Sequence, residues 1–472
     1  MSVENMAIDT QDIIETHFQQ DDQLEALIRE IGEDPVRHPL HTLDEIRPSL
    51  ISVPDNVMGL ERIKLETEGR RLQALYDNLY FDLDSSLLDP KKRLGSGEFA
   101  FLIHARDLSD VALQFPYLST EYLGENEIKD IFKTIPPFRA SRITGLKDVN
   151  GEELRGWVVI ASILPEQLLD RGELRSVKEN ILQVSKLAYM LGADIVGLGA
   201  MSAMLTHYGK DIEEKLLLSD EDGEDRPALR VTTGHSYTSF LLKETLNQAA
   251  EKTGQDLSRS TVAVIGAAGS IGRTAAHLCF SEVGKMVLLD TKVKESKVNE
   301  FVSTERQRHS TEVEVWSVAG LTDPVYQHAL RGADFVICAT TAVEPFVKKE
   351  WLKPGVVVID DSAPVNIAEG EAEAIGGMTL HVVANIPEGF RWNFPMTLAD
   401  ASFGCGAEVA TLAGQHRLDL SVAGEVTPES VRQIALAAKV AGFTIGPLQS
   451  FGKLKTALDF ERIKSSRRQS AA

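Results

Sequence analysis

The sequence is short of cysteine: only Cys279, Cys338 and Cys405 occur in 472 residues. Three thiols cannot make a disulfide framework, and their spacing offers no metal-ligand set, so no metal is expected. A reducing, cytoplasmic location follows as the default. Basic residues are in deficit too: 49 Lys and Arg against 70 Asp and Glu leave a formal net charge of −21. Nucleic-acid binding needs a basic stripe to displace counterions, so no nucleic-acid partner is expected, and general adhesion to anionic membrane is disfavoured. No long hydrophobic run is present. The most apolar stretch, Leu187–Leu205, is interrupted by Asp194 and several glycines, which marks a buried element rather than a membrane span. The opening MSVENMAIDTQD has neither secretory-signal nor Arg-rich transit character.

What remains is an ordinary globular composition, 43% hydrophobic and 25% charged, with length for two or three domains. Residues 1–95 read as a helical extension for packing or oligomerisation, with Leu72, Leu75, Tyr76 and Leu79 at helical spacing. Residues 96–245 read as an α/β substrate domain. It has strands in EFAFLIHA and at Trp157–Ile163, a helix over Gly172–Leu191, and the small-residue stretch DIVGLGAMSAM. Asp211–Asp225 is expected to be a solvated acidic loop. A strand at Leu229–Thr233 then feeds a long helix, with Ser236 and Thr238 as candidate caps. Residues 246–400 repeat strand–helix units. Their apolar runs are Val262–Ile265, Met286–Leu289, Val313–Val318, Phe335–Cys338, Val356–Ile359 and Leu380–Val383. The fold class is therefore α/β, a doubly wound parallel sheet of Rossmann type beside a second α/β unit. Residues 401–460 form a C-terminal segment with Cys405 and helices near 407–416 and 428–441, and 461–472 a disordered tail.

The most informative stretch is TVAVIGAAGSIGRTAA, residues 261–276. It gives a buried strand, a glycine turn at Gly266, Gly269 and Gly272, and a helix opening at Ser270. Such a turn brings backbone close to a pyrophosphate and points helix N–H groups at it. The expected dinucleotide contacts are Gly266, Ala268, Gly269, Ser270, Ile271 and Gly272. Asp290, Thr291 and Lys292 join them at the end of the second strand, and Thr340 and Thr341 after the fourth. Asp290 lies about twenty residues beyond the loop, where an acidic side chain binds both ribose hydroxyls and repels a 2′-phosphate, which favours NADH.

Several blocks in collinear order, over roughly residues 97–450, resemble the long-chain acyl-[acyl-carrier-protein] reductases of the cyanobacterial type. They are Leu164-Pro165-Glu166, DIVGLGAMSA with Gly199 and Ser202, RVTTGHSYT, the glycine loop, Ala333-Asp334, and Gly404-Cys405-Gly406-Ala407-Glu408. The resemblance implies reduction of a long-chain acyl thioester to an aldehyde with a nicotinamide cofactor, NADPH in that family, and an acyl-carrying cysteine at Cys405. It also implies an acyl carrier protein or CoA as the thioester's carrier. Lys91-Lys92-Arg93, Arg139 with Arg142 and Lys147, or Arg171 with Arg175 would supply the local basic patch an acidic carrier needs.

Cys405 also stands out on physical grounds, since glycines flank it and a helix follows, a setting that lowers a thiol's pKa. His235 is the candidate proton donor, with a loop or cap histidine as its alternative; the family carries asparagine there, and histidine where Tyr237 stands. Ser202, Thr232 and Thr233 are candidates to line the acyl pocket. Two other readings stay open: a dehydrogenase related to shikimate or glutamyl-tRNA reductases acting on a small polar substrate, and a non-catalytic cofactor-binding regulatory protein.

Overall fold

A computed structural model describes residues 58–471 apart from 86, 169, 220–224 and 395–399. The acidic first half of the N-terminal extension therefore lies outside the described residues. Its second half contains the helix expected from the Leu72–Leu79 spacing, α1 (Gly59–Tyr80), with Leu72 and Tyr76 buried.

Two sheets make the body. In the first, β1 (Glu98–His104), β3 (Glu153–Ala161), β4 (Ala193–Leu198) and β5 (Arg230–Thr232) run parallel, and β2 (Phe138–Lys147) closes one edge antiparallel to β3, in the order β2-β3-β1-β4-β5. The amphipathic helix α2 (Leu174–Met190) covers one face. β5 is followed by Thr233 and by Gly234, which is in the left-handed region, and the chain then enters the 19-residue helix α3 (His235–Thr253). That helix carries the chain across to the second sheet.

The second sheet contains β6 (Thr261–Ile265), β7 (Lys285–Thr291), β8 (Glu312–Val318), β9 (Phe335–Cys338), β10 (Val357–Asp360) and β11 (Met378–His381), all parallel. Its order, β8-β7-β6-β9-β10-β11, is the 3-2-1-4-5-6 arrangement of dinucleotide-binding folds. The central strands are buried on both faces, so they read in sequence as continuous apolar runs rather than alternating ones. The chain later returns to add β12 (Gln449–Ser450) and β13 (Lys453–Leu454) antiparallel at the far edge.

The C-terminal segment is not a separate unit. Its first helix, α5 (Gly404–Gly414), packs against α3, β1 and β4 and belongs to the core of the first sheet. Numbering along the chain, α4 is the glycine-loop helix Ser270–Cys279, and α6 (Pro428–Val440) leans on α3. Close packing of α5 on β4 depends on Gly197: a Cβ there would stand 2.6 Å from the Val409 Cβ.

Three expectations change. The basic tail is the second half of a helix, α7 (Ala457–Ala471). Ile463 is fully buried, and the Arg467 guanidinium donates to the carbonyls of Gly355 and Asp334 at 2.7 and 2.8 Å. The acidic stretch from Asp211 carries a short helix, Lys210–Lys215, and strand Leu217–Ser219, which pairs with Asp225–Pro227. Neither Ser236 nor Thr238 caps α3; the buried carboxylate of Glu408, on α5, accepts from the Tyr237 backbone N–H at 2.8 Å instead.

Candidate active site

The carboxyl edges of the two sheets meet around a cavity of roughly 470 Å3. The glycine loop forms one wall. Gly266 has φ +88°, and a Cβ on it would collide with the Ala339 carbonyl; on Gly272 it would collide with the Gly266 carbonyl. Both glycines are thus required for the tight turn and for packing of α4 under it. Among the described residues no side chain caps α4, and the buried Ser270 Oγ has no partner. An uncapped helix start with an orphaned hydroxyl on a cavity fits the pyrophosphate of a dinucleotide.

Asp290, at the end of β7, is held rigidly. One carboxylate oxygen accepts from Ala268 N–H at 2.8 Å and the other from Thr291 N–H at 2.7 Å. Carboxylate oxygens accept more than one bond each, so capacity remains for ribose hydroxyls. Thr340 is fixed as well, its hydroxyl donating to Asn366 Oδ1 at 2.6 Å.

The opposite wall comes from the first sheet: Phe101, Ile103, Leu198, Met201 and Met204 give it an apolar surface, with Phe394 and Phe403 beside them, and His104 and the Arg106–Asp110 ion pair line it too. Between the two walls lies Cys405, half-buried in the first turn of α5. Its position is tightly set. A Cβ on Gly234 would fall on the Cys405 Cα and Cβ, and one on Gly404 would stand 2.5 Å from the Thr238 hydroxyl. Three residues on, fully buried Glu408 accepts from the Thr232 hydroxyl and from the start of α3. A carboxylate there satisfies otherwise orphaned N–H groups and locks α5 to α3.

The expectation of an acidic thiol does not hold. Burial, and then the charge of Asp361, push the Cys405 thiol up to about 12, outweighing the backbone N–H groups at the helix start. His235 lines the same cavity, its Nδ1 without a partner among the described residues, and burial lowers it to about 4. At neutral pH it is an imidazole, not an imidazolium proton donor.

The cavity gathers Cys405, His235, Thr233, Gly266, Gly269, Ser270, Ile271, Asp290, Thr291, Thr340 and Thr341. It does not gather the rest. Ser202 and Thr232 are fully buried outside it, Thr232 committed to Glu408. Gly272 serves helix packing, Ala268 opens onto a neighbouring cavity with Arg273 and His277, and Lys292 is exposed while Lys294 lines the cavity in its place. Sequence places Asp360-Asp361-Ser362 at the carboxyl edge of the sheet without assigning either aspartate a role, and gives no sign of Tyr208; Asp361 and Tyr208 both line the cavity. A carboxylate after a parallel strand was the available signal for Asp361, but two adjacent aspartates occur there and sequence does not say which one faces inward.

The basic-patch candidates are largely committed to structure. Lys92 donates to the Tyr80 carbonyl, Arg93 binds three carbonyls and Asp194, Arg139 pairs with Asp77 and Arg142 with Glu98. Arg93, Arg139 and Arg142 surround a second cavity along β2 and β3 that shares no lining residue with the first.

Residues 248–386 match the family model of shikimate / quinate 5-dehydrogenase. That span holds the glycine loop and the six parallel strands. The chain is an NAD(P)-dependent oxidoreductase. The oxidoreductase is also similar to the long-chain acyl-[acyl-carrier-protein] reductase of Synechococcus elongatus, 25% identical over 296 residues, covering 60% of this chain and 78% of that protein. Among solved structures, a shikimate dehydrogenase in complex with NADP+ covers 80% of this chain and 99% of its own at 13% identity and a TM-score of 0.30. The shikimate 5-dehydrogenase of Listeria monocytogenes, with shikimate and NAD, covers 74% and 100% at 11% identity and a TM-score of 0.28. Among the described residues no group of His, Cys, Asp and Glu is arranged to hold a metal ion, and no helix is long and apolar enough to cross a membrane.

Proposed function

We propose that the protein reduces a long-chain acyl thioester to an aldehyde, with the acyl group carried on Cys405. The observation that supports this best is the placement of Cys405 between a polar, glycine-lined wall and an apolar one. A dinucleotide fits the first wall and an acyl chain the second. The Cys405 Sγ adds to the thioester carbonyl carbon, and the carrier thiol departs, leaving the acyl group on the enzyme. Backbone N–H groups at the start of α5 are positioned to hold the carbonyl oxygen as it gains charge. A reduced nicotinamide, when bound, supplies the two electrons. Thr233 and His235 line the same cavity as Cys405 and are the polar groups proposed to meet the carbonyl. The similarity to an acyl-[acyl-carrier-protein] reductase supports the same chemistry, and the carrier is an acyl carrier protein or CoA.

For the cofactor we favour NADH, because the rigid Asp290 carboxylate occupies the position a 2′-phosphate would approach. Lys294, 3.9 Å from Asp290, is the one counter-charge on that side of the cavity among the described residues.

The match to the shikimate-type family model favours a second reading, oxidation or reduction of a small polar substrate. The Phe101, Ile103 and Leu198 side of the cavity argues against it, where the charges present, Arg106 and Asp110, are paired with each other at 2.7 Å. The deciding experiment has two parts. Mass spectrometry after incubation with an acyl-CoA, without cofactor, is expected to find the acyl group on Cys405; adding NADH or NADPH then gives aldehyde and loss of cofactor absorbance. Cys405→Ala loses both signals. Normal turnover in Cys405→Ala, or turnover of a small keto acid and of no thioester, rejects the acyl-cysteine reading.

A further inference from the structure

The end of β10 carries two adjacent aspartates in opposite surroundings. Asp360 is 2% exposed, and its carboxylate accepts from the backbone N–H groups of Ser362, Asn366 and Ile367 at 3.0, 2.6 and 3.1 Å. It organises the turn that follows. Asp361 donates its backbone N–H to the Cys338 carbonyl at 3.1 Å, yet among the described residues its carboxyl has no hydrogen bond or ion pair. Asp361 lines the cavity together with Cys405. Of the charges around the Cys405 thiol, Asp361 is the one that raises it most.

A thiol at about 12 is protonated at neutral pH and is a poor nucleophile until a base takes its proton. His235, at about 4, is too weakly basic to hold that proton. Arg106 is committed to Asp110 at 2.7 Å and supplies Asp361 with no counter-charge, and the charge that acts on Asp361 is the neighbouring Asp360, of the same sign.

We propose that Asp361 is the proton carrier for Cys405, in the acyl transfer proposed above, on which this inference rests. As a carboxylate it accepts the Sγ–H proton while Sγ forms its bond to the carbonyl carbon. The bond from that carbon to the carrier sulfur then breaks, and Asp361, now a carboxylic acid, returns the proton to the departing thiolate. One S–H and one C–S bond break, one C–S and one S–H bond form, and no oxidant or reductant takes part. Burial and the neighbouring Asp360 raise Asp361 well above the usual carboxylate range, the direction that lets a carboxyl hold a proton it has taken.

The test uses Asp361→Asn and Asp361→Glu in the full chain, with thermal melting as the folding control. Single-turnover acylation of Cys405 from an acyl-CoA, without cofactor, is expected to fall about 100-fold in Asp361→Asn and to recover in part in Asp361→Glu. Alkylation of Cys405 by iodoacetamide between pH 7 and 10, followed by peptide mapping, moves the other way. Wild-type alkylation is still rising at pH 10, and Asp361→Asn is alkylated faster at pH 9 because the neighbouring negative charge is gone. Acylation by Asp361→Asn within about threefold of wild type overturns the proposal, since a proton carrier contributes at least 100-fold. If the wild type accepts no thioester, the acyl-transfer reading has failed, and alkylation alone then decides whether Asp361 governs the thiol: an unchanged pH profile in Asp361→Asn overturns it.

Discussion

The two sheets bring their carboxyl edges to one cavity, and the edges are built from different materials. The second sheet ends in glycines, hydroxyls and carboxylates, with backbone N–H groups turned inward. The first ends in Phe101, Ile103, Leu198 and their apolar neighbours. Most of the polar groups of the second sheet come from residues just past its strands, whereas Phe101, Ile103 and Leu198 lie within β1 and β4 themselves. A polar edge suits a charged dinucleotide, which needs donors and a close backbone; an apolar edge suits a chain whose transfer from water contributes about 0.8 kcal/mol per methylene. The cysteine sits where they meet.

The strongest way to break this arrangement is at Gly234, where β5 becomes α3. Gly234→Ala puts a methyl group onto Cys405 in a left-handed backbone, and is expected to cost about 3 kcal/mol or more of stability. A lowered urea midpoint together with lost acylation checks this, and an unchanged midpoint would refute the close approach. Gly266→Ala should separate the two edges. Its clash with Ala339 removes cofactor binding, by about tenfold to 100-fold for 1–3 kcal/mol of strain. Acylation of Cys405 without cofactor should continue unchanged.

The remaining substitutions sharpen the contrast. Asp290→Ser relieves the repulsion of a 2′-phosphate and is expected to raise the kcat/KM ratio of NADPH over NADH about tenfold. A large NADPH preference in the wild type would show that Asp290 does not set the choice. Met204→Asp, at a partly exposed position on the apolar wall, should lower kcat/KM for a long acyl chain several-fold, on the order of one or two methylenes of transfer energy. A short-chain thioester and cofactor affinity should be unaffected.

Much of the architecture was legible before any coordinates. The strand Phe335–Cys338 falls where its apolar run places it, because a strand buried on both faces must be apolar at every position. The small residues of DIVGLGAMSAM imply close approach, and Gly197 against Val409 is such a contact. The tail was illegible for the opposite reason. Beyond Ile463 it shows little but charge and serine in sequence, yet its helix is held by buried Phe460 and Ile463 and by Arg467 reaching carbonyls over 100 positions away. Ser202 and Thr232 lie in the right blocks but the wrong direction. Sequence gives position along an element, whereas facing the cavity or facing Glu408 depends on how α5 packs.

The sequence alone therefore determined the parallel sheet, the glycine turn and the identity of the one thiol flanked by glycines, because each is a local requirement of backbone space or strand burial. Tertiary structure decided which groups share a cavity and what state they are in. Helix-start geometry argues for an acidic Cys405 thiol. Burial between two sheets, with the Asp361 carboxyl beside it, instead pushes it up to about 12, since loss of water penalises a charge more than one helix terminus favours it.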